Sequence, residues 1–325
     1  MPTIMKLKLK ARSLTRLPDV PDPAAVTVID ARFNQLRSLP SSLTRFRNLQ
    51  ALRLSYNQLE ELPDEFAALT KLKFLHLSSN PLRCFPPVLK SLPHLEVLNL
   101  DQTGIEEIPS DFQPQVLRRL SLSQNKLGAL PEGLFAAGSP LRFLSLHQNC
   151  LRSFPASFAK LASLEQLDLS SNQLENLPDE IGRLQRLQVL HLQGNRLRSL
   201  PSGFGELAAL RRLSLHENQL TALPECIGGL VALEHLDASH NQIASLPESI
   251  GNWRSMQWLV LSDNQLTSLP ASFRNLAALT HCFLKGNDLC DQPAVKEAIA
   301  FLHSFRALDY SGNRHFPKGR KLPFS

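Results

Sequence analysis

Leu164-Glu165-Gln166-Leu167-Asp168-Leu169-Ser170-Ser171-Asn172-Gln173-Leu174-Glu175-Asn176-Leu177-Pro178-Asp179-Glu180-Ile181-Gly182-Arg183-Leu184 is one copy of the unit from which almost the whole chain is built. Two hydrophobic periods meet in it. Leu167 and Leu169 are two residues apart, so they point to one side of a short extended segment while Asp168 points to the other. Beyond Asn172 the apolar residues Leu174, Leu177, Ile181 and Leu184 come three or four apart. Between them Pro178 fixes a backbone angle and opens a short helical or 3₁₀ segment.

Aligned on Asn172, the unit recurs thirteen times from Ile4 to Leu289. Its asparagine slot holds Asn34, Asn57, Asn80, Asn125, Asn149, Asn172, Asn195, Asn218, Asn241, Asn264 and Asn287, with Arg12 and Thr103 in the two irregular units. Steps are 23 residues except for 22 into Asn34, 22 into Asn125 and 24 into Asn149. Twelve of the 23 prolines fall in a single slot, from Pro18 to Pro270. A fifth of the chain, 65 of 325 residues, is leucine, and the repeat explains the excess. An amide in the asparagine slot both donates and accepts, so it satisfies backbone groups that no sheet ladder reaches. Threonine offers less, and Thr103 lies beside the 22 and 24 spacings, which predicts a local irregularity over residues 103 to 149.

The pattern resembles the leucine-rich repeat family, intracellular class, with a 23-residue unit and a Leu-Pro step. That group includes Ras-pathway scaffold proteins and bacterial effectors. The resemblance implies an α/β solenoid: a leucine-rich repeat horseshoe with a parallel concave β-sheet and short helical or 3₁₀ convex segments. It also implies protein recognition on the concave face. The expected domains are an array of about 13 repeats over 1–290 and a C-terminal capping helix with a basic tail over 291–325. Asp291-Gln292-Pro293 reads as the helix start, with Val295, Ala298, Ile299, Leu302 and Phe305 on one face. At the other end Lys6, Lys8 and Lys10 alternate along an edge strand, which discourages further pairing.

Composition narrows the function. No window approaches 18 consecutive apolar residues, so a membrane span is not expected. The N-terminus, Met1 to Lys10, alternates charge with leucine and lacks the apolar stretch of a signal peptide. Five cysteines form no CxxC pair and no Asn-x-Ser/Thr sequon occurs, which fits a reducing compartment. The net charge of +6 is uneven, with ten Lys/Arg against three Asp/Glu in residues 1–54 and a mildly acidic body. Nucleic-acid binding would need a continuous basic stripe with stacking aromatics. The 36 residues after Leu289 are too few for a ubiquitin-ligase, kinase or GTPase domain.

Function is therefore expected in the two strand columns that face away from the core. Over the last four units these hold Arg212, His235, Asp237, Trp258, Val260, His281 and Phe283, on strands about 4.8 Å apart. Arginine and large aromatics with no core to enter are the composition of a binding hot spot. The competing reading is a face covered by the tail of residues 306–325. Tyr56, Phe74, Val97 and Phe143 form a second apolar set. Asp168, His191 and Ser214 stand on adjacent strands in the order of a nucleophilic triad, but no glycine-rich turn supplies an oxyanion hole. Several histidines share the face, yet no HExxH or Cys/His cluster points to a metal. Cys282 replaces a strand leucine and is expected to be buried.

These features predict a non-enzymatic scaffold or protein-interaction module in the cytoplasm, serving signal transduction. It is expected to act as a monomer that binds a protein partner and needs no cofactor, metal or nucleic acid. A bacterial effector delivered into a host cell by a non-classical route, or a regulator of a signalling protein, is the second expectation. A weak hydrolase on Asp168, His191 and Ser214 is the third.

Overall fold

The computed structural model describes residues 5–289, 307–309 and 311–313. The predicted capping helix over residues 291–305 lies outside them. The chain divides into two compact units, Met1–Leu151 and Arg152–Ser325. In the first, the strands are β1 (Met5–Lys8), β2 (Val26–Asp30), β3 (Ala51–Arg53), β4 (Phe74–His76), β5 (Val97–Asn99), β6 (Arg119–Ser121) and β7 (Phe143–Ser145). In the second they are β8 (Gln166–Asp168), β9 (Val189–His191), β10 (Arg212–Ser214), β11 (His235–Asp237), β12 (Trp258–Val260), β13 (His281–Phe283) and β14 (Ala307–Asp309). Within each unit every strand pairs in parallel with the next in sequence, one repeat along. Each unit is thus a stretch of solenoid, as the repeat predicts.

The middle residue of each three-residue strand from β3 to β13 enters the core. Leu167, Leu190, Leu213, Leu236, Leu259 and Cys282 are all buried, and the residues on either side of them look outward. Opposite the strands, Leu174, Leu177, Ile181 and Leu184 of the quoted repeat and their equivalents close each coil. The segment after most of the Leu-Pro steps is a 3₁₀ helix; Pro18, Pro109 and Pro131 are the exceptions. Pro178 caps Asp179–Arg183, its carbonyl accepting from the Ile181 amide at 3.1 Å, and the Leu184 amide donates to Ile181 at 3.1 Å. Five residues between proline and leucine hold little more than one tight turn.

Neighbouring 3₁₀ segments of the second unit stack so closely that side chains do not fit at some positions. A Cβ on Gly203 would lie 2.0 Å from the Asp179 carbonyl oxygen, and one on Gly229 would lie 2.1 Å from that of Gly205. Trp253 takes a leucine slot and is fully buried, its Nε1 donating to the Ile227 carbonyl at 2.9 Å.

The asparagines do what their chemistry predicts. Asn195 Nδ2 donates to the Leu192 carbonyl in its own coil (2.9 Å) and to the Leu169 carbonyl one coil back (3.0 Å), while Oδ1 accepts from the Leu174 amide (3.0 Å). Thr103 manages only part of this. Its hydroxyl donates to Leu100 O at 2.7 Å but does not reach the previous coil, where the Leu82 amide turns instead to the Asn80 carbonyl at 2.9 Å and Arg83 takes φ of 61°. The coils between β5 and β7 carry turns where their neighbours have 3₁₀ segments, so the predicted irregularity is local and physical.

The asparagine ladder also runs one step beyond Leu289, where the sequence pattern stops. Asn313 Oδ1 accepts from the Leu289 amide at 3.1 Å, its Nδ2 donates to Leu284 O at 3.0 Å, and β14 pairs with β13. The Leu308-Asp309-Tyr310-Ser311-Gly312-Asn313 run matches the repeat, but its step of 26 residues hid it.

Replacing Asn195 by alanine strands the buried Leu174 amide, and an unsatisfied buried group costs about 1–3 kcal/mol. In urea unfolding, Asn195→Ala should lose about 2 kcal/mol or more, whereas exposed Asn176→Ala should stay within about 0.5 kcal/mol of wild type. Equal losses for the two would remove the ladder from its structural role.

Candidate protein-binding face

On the outward face of the second unit, the parallel register sets Arg212 beside His235, His235 beside Trp258, and Trp258 beside His281. The adjacent column runs Ser214, Asp237, Val260, Phe283. The rings gather. Trp258 stacks on His281 with centroids 4.1 Å apart and planes 19° apart, and leans on Phe283 at 5.6 Å and 37°. His281 is oriented by Thr280, whose hydroxyl lies 2.9 Å from Nδ1. Even within this cluster Trp258 remains 39% exposed. The tail strand β14 pairs at the edge of β13 and leaves that exposure in place among the described residues.

The polar members divide between surface and fold. Arg212 is exposed and its guanidinium has no ion pair among the described residues, while neighbouring Arg211 pairs with Glu234 at 2.9 Å. His235 Nδ1 is buried with no partner among the described residues. Asp237 is largely committed to its own turn, accepting from the Ser239 amide (3.0 Å) and hydroxyl (2.6 Å), and its other oxygen faces His216 at 3.3 Å without a hydrogen bond. Asp168 makes the equivalent bond to the Ser170 amide at 3.0 Å. The Asp-x-Ser spelling shared by Asp168, Asp237 and Asp309 was the available sign of this duty.

No hydrogen bond or ion pair joins Asp168 to His191 among the described residues, so the triad is incomplete. His191 presents Nδ1 to Ser214 Oγ at 3.3 Å, while the carboxylate that would orient the imidazole caps a turn instead. Among the described residues no three His, Cys, Asp or Glu side chains gather as a metal site, and no helix is long and apolar enough to cross a membrane.

Phe74 and Phe143 belong to the first unit, on β4 and β7 with Val97 and Arg119 between them in one row. Phe74 is 39% exposed, and Phe143 lies under the Arg119 guanidinium at 4.2 Å. A neighbouring aromatic pair escaped the strand columns altogether. Phe33 and Tyr56 stack at 4.4 Å with planes 7° apart, and neither is on a strand. Each occupies the residue just before a repeat asparagine, where the backbone is left-handed, at φ 59° in both. Tyr56 already stands in the second apolar set of the sequence while Phe33 does not, and reading that slot down the repeats, Ala11, Phe33, Tyr56, Ser79, Gln102, brings the two together.

With this geometry in view, the comparisons with known proteins are direct. The leucine rich repeat model matches residues 25–82, 115–174 and 185–243, and a second model of the same repeat matches 255–276. The chain belongs to the leucine-rich repeat family. It is similar to a leucine-rich repeat protein of Leptospira interrogans, at 32% identity and TM-score 0.75, over 91% of this chain and 81% of that one. An internalin of Listeria monocytogenes shares the fold at 21% identity and TM-score 0.79, over 91% of this chain and 83% of the internalin. The plant peptide hormone receptor RGFR1, solved in complex with RGF2, shares it at 24% identity and TM-score 0.69, over 89% of this chain and 55% of the receptor. The chain matches no curated protein. Family membership makes it a protein-interaction module, and no catalytic family is indicated.

Two measurements check the side-chain placements. Trp253 is sealed and Trp258 is open, so acrylamide should quench part of the native emission, and Trp258→Phe should leave only a resistant, blue-shifted component. Readily quenched emission in that variant contradicts the burial of Trp253. Burial also pushes the Cys282 thiol up to about 12. The unfolded thiol ionises near roughly 8.5, so this contribution to stability is full below that pH and declines as pH rises toward 12. Iodoacetamide at mildly alkaline pH should label exposed Cys84 and Cys150 and reach Cys282 only in denaturant. Native labelling of Cys282 would contradict its placement.

Proposed function

We propose that the chain is a non-enzymatic recognition scaffold whose main contact surface is the outward face formed by Arg212, His235, Asp237, Trp258, Val260, His281 and Phe283. The observation that carries this reading is Trp258: a large ring held open by its stacking on His281 and Phe283, with an unpaired arginine two strands away. A pre-ordered aromatic loses little side-chain entropy on binding, which is why tryptophan and arginine dominate hot spots. Phe74 and Phe143 serve a second contact area in the first unit. The partner is a protein, and neither a cofactor nor a nucleic acid takes part. The four described cysteines are free and two of them are exposed, which supports work in a reducing compartment such as the cytoplasm, as a monomer in a signalling assembly.

Cross-linked capture with the full chain, read by quantitative mass spectrometry, tests this. Trp258→Ala, folded by circular dichroism, should lose a specific partner by about thirtyfold, the equivalent of a 2 kcal/mol hot spot. Ser214→Ala should retain it and show the same background ester hydrolysis as wild type. Undiminished recovery by Trp258→Ala would reject this face, and hydrolysis lost with Ser214 would reject the non-enzymatic reading.

A further inference from the structure

The Phe33–Tyr56 pair has no structural explanation in the repeat. Its slot is left-handed in every described coil, a conformation that bulky residues disfavour, and other coils fill it with alanine, serine, glutamine, glycine, aspartate, glutamate or, once, the imidazole of His240. Both rings are nonetheless exposed, Phe33 by 45% and Tyr56 by 50%, so neither contributes to the core. They form a flat aromatic wall, with the Lys10 ammonium 5.3 Å from the Phe33 centroid.

The wall borders a hollow of about 440 Å³ that also takes in Arg53, His76, Ser55 and Ser78. Arg53 is shared with a second hollow, of about 350 Å³, reaching Lys8 and Phe74. The nearby carboxylates are already engaged. Asp30 receives both Nε and Nη2 of Arg32, at 2.8 and 2.7 Å, and Asp101 receives the Ser121 hydroxyl, the Ser123 amide and the Asn99 amide group at 2.6–2.8 Å. Arg53 is exposed, and while its carbonyl accepts from the Ala31 amide at 2.9 Å, its guanidinium makes no hydrogen bond or ion pair among the described residues. Burial first, and then Arg53 and Arg32, hold the His76 imidazole below its usual range, so it is a neutral hydrogen-bonding group in a field left positive.

We propose that this groove docks an acidic, extended segment of a partner protein, with a carboxylate paired to Arg53 and the neighbouring residue lying on the Phe33–Tyr56 wall. Charge complementarity selects this occupant: the first 54 residues are strongly basic, their nearest acids are internally satisfied, and a planar guanidinium matches a carboxylate through two parallel bonds. The inference rests on the reading of the chain as a recognition module, but it uses other residues than the Trp258 face.

The test is fluorescence anisotropy with the full chain and a fluorescein-labelled octapeptide alternating glutamate with serine and tyrosine, against its glutamine counterpart. The glutamate peptide should bind about tenfold more tightly, and added salt should weaken it. Arg53→Gln should erase the preference. Tyr56→Gly, which suits the left-handed backbone, should weaken both peptides without loss of fold. Trp258→Ala should bind as wild type, so a failed peptide assay beside a successful Trp258 capture condemns only this groove. Equal affinity for the two peptides, indifference to Arg53→Gln, or full competition by inorganic phosphate would overturn the proposal. Self-association that excludes the peptide would overturn it too, by making a second copy the occupant.

Discussion

A buried asparagine amide, present in all but the Arg12 and Thr103 coils, holds the repeats together. The repeat asparagine ties its own turn to the carbonyl and amide of the coil before it, so no coil closes its polar groups alone. Hydrophobic burial is non-directional and fills the space between coils with leucine, but it does not say where the chain must turn. The amide does. Its cost of failure, an unpaired buried group in each of those coils, makes stacking obligatory. The ends show the same requirement: Asn34 accepts from the Arg12 and Leu14 amides of the first coil, and Asn313 serves the Leu289 amide.

That constraint propagates outward. Turning the asparagine inward forces the preceding residue into the left-handed region in coil after coil, so its side chain recurs at a fixed place along the edge of the sheet. Where that residue is polar, it can form a ladder: Ser79 and Gln102, Gln102 and Gln124, and Gln124 and Gln148 are hydrogen-bonded in sequence. Where it is aromatic, it forms the exposed stack of Phe33 and Tyr56. The bond that fixes the fold therefore also creates a display position, at some conformational cost to any residue but glycine.

The fold was legible because the same few positions are asked for the same property thirteen times, and chance does not repeat at 23 residues. Burial of Cys282 followed from its slot alone. Trp258 stood out for the opposite reason, a large ring in a column that has no core to enter. What escaped detection did so for physical causes. Asn313 follows a longer step, and a fixed period does not register it. Phe33 sits in a position that a hydrophobic pattern treats as free, because its constraint is a backbone angle and not a side-chain preference. The fold duty of Asp168 and Asp237 lay in a short Asp-x-Ser turn, invisible to a search for facing side chains in neighbouring strands.

These cases separate two kinds of outward residue on such a repeat. A carboxylate at the end of a strand has backbone amides within reach, and the turn claims it before a partner does, as Asp237 shows. An aromatic ring or a guanidinium finds no such local use. Trp258, Arg212 and Arg53 stay open because nothing in their own coils competes for them, and Phe33 and Tyr56 occupy a backbone conformation that other coils leave to smaller or more flexible side chains. Recognition on this scaffold is therefore best sought in the groups that the folding chemistry has no means to consume.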